Sequence, residues 1–297
     1  MQRQASIGEV AGQRSLFASD AGATRRHLLD QAMFGAVVAC AALGVAVLVI
    51  ILLNVIVQGL AALNFSFFTE RPLPLAEVGG GVAPAIIGTL LMLGVGALFG
   101  VPIGIGTAIY LAEYGRGQFA QWVSFTIDML AGVPSVVVGV FVWAVLVRNV
   151  FGSFSGLAGG IALALIMIPI VTRTVEEMLR LVPDTYREAA LGLGVSRAKT
   201  ILFIVIPTAK GGIVTGVVLA VARAGGETAP LVLTALGNQF FNYDLRQPMA
   251  ALPLQIYQYA SSPYADWHTK AWGSALILII VIGILSFLTR LATRQRN

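Results

Sequence analysis

Six long apolar blocks dominate this chain, at about residues 32–59, 83–111, 122–147, 157–173, 208–236 and 272–290. A helix rising 1.5 Å per residue needs roughly 20 apolar residues to cross a ~30 Å hydrocarbon core. Backbone polar groups in lipid must be satisfied inside the protein, so only helices and closed barrels span a membrane. The ~10-residue alternating segments that build a barrel are absent from the sequence. The expected fold is therefore all-α: a polytopic membrane protein with six transmembrane helices. Only 11% of the residues are charged and the mean hydropathy is +0.85. Soluble domains carry about 25% charged residues, so a soluble globular chain is excluded.

The first block follows a polar leader, residues 1–30. The block is far longer than the 7–15-residue apolar core of a signal peptide, so an uncleaved anchor is expected. Residues 31–297 then form one transmembrane domain. With a cytoplasmic N-terminus, Arg71, Arg148, Arg246 and Lys270 fall outside and Arg223 within a span. The other fourteen of the nineteen Lys and Arg residues fall inside. That asymmetry follows the positive-inside rule and predicts two cytoplasmic termini. The net charge of +5 thus reports membrane orientation rather than a nucleic-acid partner.

Several chemistries lack their residues. Cys40 is the single cysteine, and His27 and His268 lie at opposite ends of the chain. With no CxxC or HExxH pattern, no metal site is expected. An intramembrane protease needs a Ser–His dyad, paired aspartates or zinc at depth, and Asp128 is the one aspartate within the blocks. The best approach to a Walker A motif, "GVSRAKT" at 194–200, has the wrong spacing and an alanine before the lysine. This chain is therefore not expected to hydrolyse ATP itself.

Small and helix-breaking residues recur in the blocks. Gly96–Gly100, Gly100–Gly104, Gly156–Gly160 and Gly212–Gly216 have the GxxxG spacing that lets helix backbones approach closely. Pro102, Pro134 and Pro169 should bend their spans. The fifth block contains "VARAGGETAPLVLTAL", residues 221–236, with Arg223 and Glu227 amid apolar residues. A charge at bilayer depth costs at least a few kcal/mol and marks a functional site by default. Residues 208–236 would reach roughly 43 Å as one helix, so the block must tilt or break, with Gly225, Gly226 and Pro230 the natural places. The residues alone leave open both an internal Arg223–Glu227 ion pair and a functional role for the two charges. Arg173, at the inner end of the fourth block, is either an exit-side contact or a snorkelling arginine. Asp128 has either an interfacial or a buried role.

Two segments lie between blocks. The outside loop, 238–271, carries Tyr257, Tyr259, Tyr264 and Trp267, where an interfacial aromatic belt would sit. It either lies on the membrane surface or docks an external partner. The cytoplasmic segment, 174–207, reads as short helices. Pro183–Asp184 marks a start, Gly192 and Gly194 mark stops, Ser196 suits an N-cap, and Pro207 marks entry into the fifth span.

Here "EAALGLG" followed by "ILFIVIP" resembles the EAA loop of ABC-importer permeases, matching at Glu188, Ala189, Ala190, Gly194 and Pro207. The stretches "AGVPSVVVGVF" (131–141), "ARAGGETAPLVLTAL" (222–236) and "LPLQIYQYASSP" (252–263) narrow this further. Together they resemble the PstA-type permeases of bacterial phosphate importers over about residues 30–290. The resemblance implies a MetI-like, type I ABC importer permease in the bacterial inner membrane. It implies a heterodimer with a PstC-type sister permease, two ATP-binding subunits that use the ATP, and an extracytoplasmic phosphate-binding protein. No cofactor is expected in this chain. Glu188, Ala189, Ala190, Gly192 and Gly194 would form the ATPase coupling segment, and Arg223, Glu227, Thr228 and Arg173 the substrate path. An arginine fork suits a tetrahedral anion. Phosphate near neutral pH also carries hydroxyl donors that sulfate lacks, so Glu227 would either read those protons or only hold Arg223.

Overall fold

The computed structural model describes residues 20–74 and 79–294. Residues 1–19 of the polar leader lie outside the described residues, and its remainder is helical. Helix α1, Asp20–Leu60, is followed by the short α2, Phe65–Thr69. Next come α3, Ala83–Ile109, with a π-turn Tyr110–Tyr114, then α4, Gly117–Gly132, and α5, Ser135–Val142, with a π-turn Trp143–Phe151. Helix α6 spans Gly156–Arg180 and α7 Asp184–Gly192. Helix α8, Arg197–Thr200, runs through a π-turn, Ile201–Val205, into α9, Ile206–Gly225. The last three are α10, Ala229–Thr234, α11, Leu252–Ala260, and α12, Ala265–Arg294. The described residues contain no strand, as expected of an all-α chain.

The chain divides into two units, the first ending at Asn54 and the second starting at Val55. The described part of the first is Asp20–Asn54 of α1, where nearly all large apolar side chains from Leu28 to Leu53 are exposed, as lipid contact requires. Five helical segments are long and apolar enough to cross a membrane: Arg25–Leu60, Ala83–Tyr114, Gly156–Arg180, Arg197–Gly225 and Ala265–Thr289. The expected third span is not one rod. Gly117–Gly132 and Ser135–Phe151 meet at 104°, and they make a sixth crossing only if the bent pair counts as one. Pro134 explains the corner. It cannot donate to the preceding turn, and it forces Val133 out of helical geometry, to φ −71 and ψ 129. Pro102 and Pro169 instead sit inside α3 and α6.

The core of the second unit is the α3–α6 pair. A Cβ at Gly100 would come within 3.0 Å of the Ala164 carbonyl oxygen, and one at Gly104 within 2.7 Å of Val171 Cβ. Gly216 likewise abuts Thr174 of α6. The GxxxG spacings therefore serve close helix packing. The outside loop is more than surface cover, because residues 249–252 are buried within the fold. Leu245 and Gln247 carbonyls accept the Leu157 and Gly156 amides at the start of α6, at 2.8 and 3.0 Å. The Leu252 amide donates to Thr89 Oγ1 at 2.8 Å. Tyr257 and Tyr264 are exposed as a belt requires, but Tyr259 is buried against Trp267, with ring centroids 5.0 Å apart. Burial pushes the Tyr259 hydroxyl up to about 12, which keeps it neutral.

Candidate functional site

The fifth block breaks where its glycines allow. Helix α9 ends at Gly225, the Gly226 and Glu227 amides turn back to the Arg223 and Ala224 carbonyls, and α10 starts after Thr228. The break leaves Arg223 in the last turn of α9 and Glu227 in the connection. Both line a cavity of about 440 Å³. Its opposite wall is the α4–α5 corner, from Leu130 to Ser135. Its floor is one stripe of α6, Ile166, Pro169, Ile170 and Arg173, at the i, i+3, i+4, i+7 spacing of a single helix face. The structure thus brings Arg173, Arg223 and Glu227 to one chamber. Thr228 stands at the N-cap of α10, makes no capping bond, and does not line the cavity.

The two arginines of this chamber are in different states. Arg173 Nε donates to Asp128 Oδ1 at 2.8 Å and Nη1 to Glu176 Oε2 at 2.7 Å. Its Nη2 donates to the Ser124 hydroxyl and carbonyl at 2.8 and 2.9 Å. Glu176 is buried and also pairs with Arg180 at 2.8 Å. Asp128 therefore serves as a partner of Arg173, and Ser124, one turn earlier on α4, shares the task. Arg223 and Glu227, by contrast, make no ion pair with each other or with any described residue. The internal clamp that four-residue spacing permits is absent, because the helix ends between them and i and i+4 no longer share a face.

The coupling segment has its expected start at Pro183–Asp184 and its expected stop at Gly192 and Gly194. Helix α7 runs from Asp184 to Gly192, and Gly194 takes the left-handed φ of 78° that ends it. Glu188, Ala189, Gly192 and Gly194 are exposed, while Ala190 packs inward. Leu181, Tyr186, Leu191 and Leu193 present apolar surface beside them. Ser196 is an N-cap by position, but its hydroxyl makes no capping bond. The helix that carries the fifth span already begins at Arg197, and Pro207 lies in the first turn of α9, directly after the π-turn. A buried ion pair went unread in the sequence. Arg187 Nη2 donates to Glu113 Oε1 at 2.6 Å, with side-chain exposures of 18% and 5%. The hydrogen bond to Glu113 holds the Arg187 guanidinium above its ordinary range, against the opposing effect of burial. The available signal was an acid in "YLAEYGRG", at a span end where basic residues are the rule.

The family of binding-protein-dependent transport system inner membrane components matches residues 100–295. This chain belongs to that family. It is 46% identical over 248 residues to the phosphate transport system permease protein PstA of Haemophilus influenzae, covering 83% of this chain and 87% of the relative. It is 43% identical over 226 residues to the phosphate transport system permease protein PstA 1 of Mycobacterium tuberculosis, covering 74% and 73%. Among solved structures, the inward-facing MetNI methionine ABC transporter aligns with a TM-score of 0.61 at 20% identity, over 72% of this chain and 95% of that one. An amino acid ABC transporter solved with histidines aligns with a TM-score of 0.52 at 20% identity, over 71% and 94%. These likenesses establish the MetI-like permease fold. As a family member, the chain is a multi-pass inner-membrane component.

Proposed function

We propose that this chain is the PstA-type permease subunit of an ATP-driven importer of inorganic phosphate. The observation that carries the reading is Arg223, a permanent cation with no ion-pair partner among the described residues, in a chamber beside Glu227. An unpaired charge at bilayer depth is costly unless something arriving there uses it. A guanidinium forks onto two oxygens of a tetrahedral anion, and the names of the relatives point to phosphate. Glu227 accepts a hydrogen bond from a phosphate hydroxyl and repels sulfate, which has none. Arg173 is the exit-side contact, reached when an anion replaces the exposed carboxylate of Asp128 on its fork.

The chain works as a heterodimer with a PstC-type sister permease. An extracytoplasmic phosphate-binding protein delivers substrate, and both termini are cytoplasmic. The chain has no ATPase site of its own. Two ATP-binding subunits supply the energy, gripping α7 through the exposed surface around Glu188. The test is phosphate uptake by vesicles containing the full complex. Uptake should require ATP and the ATPase subunits and should persist with a protonophore. Uptake that a protonophore abolishes, and that survives loss of the ATPase, would instead make this an ion-driven carrier.

A further inference from the structure

Three side chains fasten the short helix α7 to the inner end of α3. Glu113 lies in the π-turn that extends α3, a widened turn closed by the Gly115 amide donating to the Tyr110 carbonyl at 2.6 Å. Such turns re-aim side chains that a regular helix would carry elsewhere, and they recur at functional sites. The Glu113 carboxylate is buried and faces Arg187, near the middle of α7. Arg187 does more than neutralise it. Nη2 also donates to the Leu179 carbonyl at 2.9 Å and Nη1 to the Val182 carbonyl at 2.6 Å. Leu179 is in the last turn of α6, where its carbonyl also accepts the Val182 amide at 3.3 Å, and Val182 follows the end of that helix. One guanidinium therefore joins α3, the end of α6 and α7.

The far side of α7 holds the same turn. Arg197, at the start of α8, donates to the backbone carbonyl of Glu113 and lies over the Tyr114 ring, 5.0 Å from its centroid. The segment from Arg187 to Arg197 is thus tied at both ends to residues 113–114. Helix α3 in turn packs without slack on α6 through Gly96, Gly100 and Gly104. And α6 carries the floor of the chamber, Ile166 to Arg173. A push on α7 has a stiff route to that floor that does not rely on the three-residue link between α6 and α7.

We propose that Glu113, with Arg187 and Arg197, is the joint that transmits ATPase movement from α7 through α3 to the substrate chamber. Glu113 and Arg187 are positioning residues, since neither touches the anion or the nucleotide. This rests on the proposed reading of the chain as an ATP-driven phosphate permease. A buried fork-to-carboxylate contact suits the task because Arg187 has donors aimed at several acceptors at once, which a lysine cannot match.

The test uses the full complex with sister permease, ATPase subunits and binding protein, comparing wild type with Glu113→Gln and Arg187→Lys. The quantity read is phosphate moved per ATP hydrolysed. Both variants are expected to co-purify with their partners and hydrolyse ATP, while phosphate per ATP falls about tenfold in Glu113→Gln and severalfold in Arg187→Lys. An unchanged ratio in an assembled variant, whatever its absolute rate, overturns the joint. Loss of assembly in both variants also overturns it and makes the pair a folding contact. Wild-type complex without ATP-dependent phosphate uptake would refute the functional reading instead.

Discussion

Arg173 and Arg223 face the same chamber, yet one has its donors engaged and the other has none engaged. Arg173 is set in the middle of α6, with α4 alongside to supply Asp128 and Ser124 and its own helix to supply Glu176. Arg223 sits where α9 stops, and the unwound residues 226–228 carry Glu227 away from it. A mid-helix charge next to another helix acquires protein partners, because desolvation leaves no alternative. A charge at a helix end bordering a chamber can remain open to a ligand. The contrast separates an arginine that holds helices, and meets an anion only by giving up Asp128, from an arginine open to an anion from the start.

The largest effect should therefore come from Arg223→Gln. It removes two charge-assisted hydrogen bonds to the anion, each worth about 1.5–3 kcal/mol, so uptake falls about 100-fold or more. The thermal midpoint of the purified complex should stay near that of wild type, since no protein contact is lost. Arg173→Gln should do the reverse in kind. Glu176 would keep only Arg180, and the α4–α6 tie would be lost, destabilising the protein by about 2 kcal/mol by the usual value of a charged hydrogen bond. A lowered thermal midpoint in detergent checks this. Equal midpoints for the two variants would erase the distinction between the arginines.

Much of this was legible beforehand, for identifiable reasons. Apolar block length dictates where helices cross, and it located the second and third spans to within about five residues, while the fifth helix lies about eleven residues earlier than its block. Local steric rules named the break at Gly225–Gly226 and a bend at Pro134, although of the three prolines expected to bend their spans only Pro134 ends a helix. Gathering Arg173 with Arg223 and Glu227 was only partly legible, because it depends on how α6 and α9 pack across about 50 residues of chain. The Arg187–Glu113 pair was missed because its members lie 74 residues apart. No local pattern links two such positions. Tyr259 was misread for a similar reason: its burial comes from α12 folding back over α11. The absent Arg223–Glu227 pair shows the limit of spacing rules, which assume an unbroken helix.

Glu227, which lines the chamber, and Asp128, which holds Arg173 from outside its lining, should follow the same contrast with smaller effects. Glu227→Gln leaves Arg223 in place but replaces an anionic acceptor with a neutral amide. Phosphate uptake should persist at a reduced rate, while sulfate becomes a competitor by about tenfold over wild type, the scale of one lost repulsive contact. Competition unchanged from wild type would remove the selective role from Glu227.

The smallest effect should belong to Asp128→Asn. The Asp128 side chain is 58% exposed, and pairs of that kind are worth at most about 1 kcal/mol. Arg173 would keep Glu176 and both Ser124 acceptors, so the fold should tolerate the change with little movement of the thermal midpoint. Its guanidinium, however, would lose the one carboxylate that an arriving anion must displace. If Arg173 is the exit-side contact, phosphate should linger there, and uptake should slow by about twofold to fivefold while apparent affinity for phosphate rises. If Arg173 only ties α4 to α6, uptake and affinity should both stay at wild-type values. The sign of the affinity change thus decides whether the engaged arginine ever serves the anion, which stability measurements on Arg173→Gln cannot reveal.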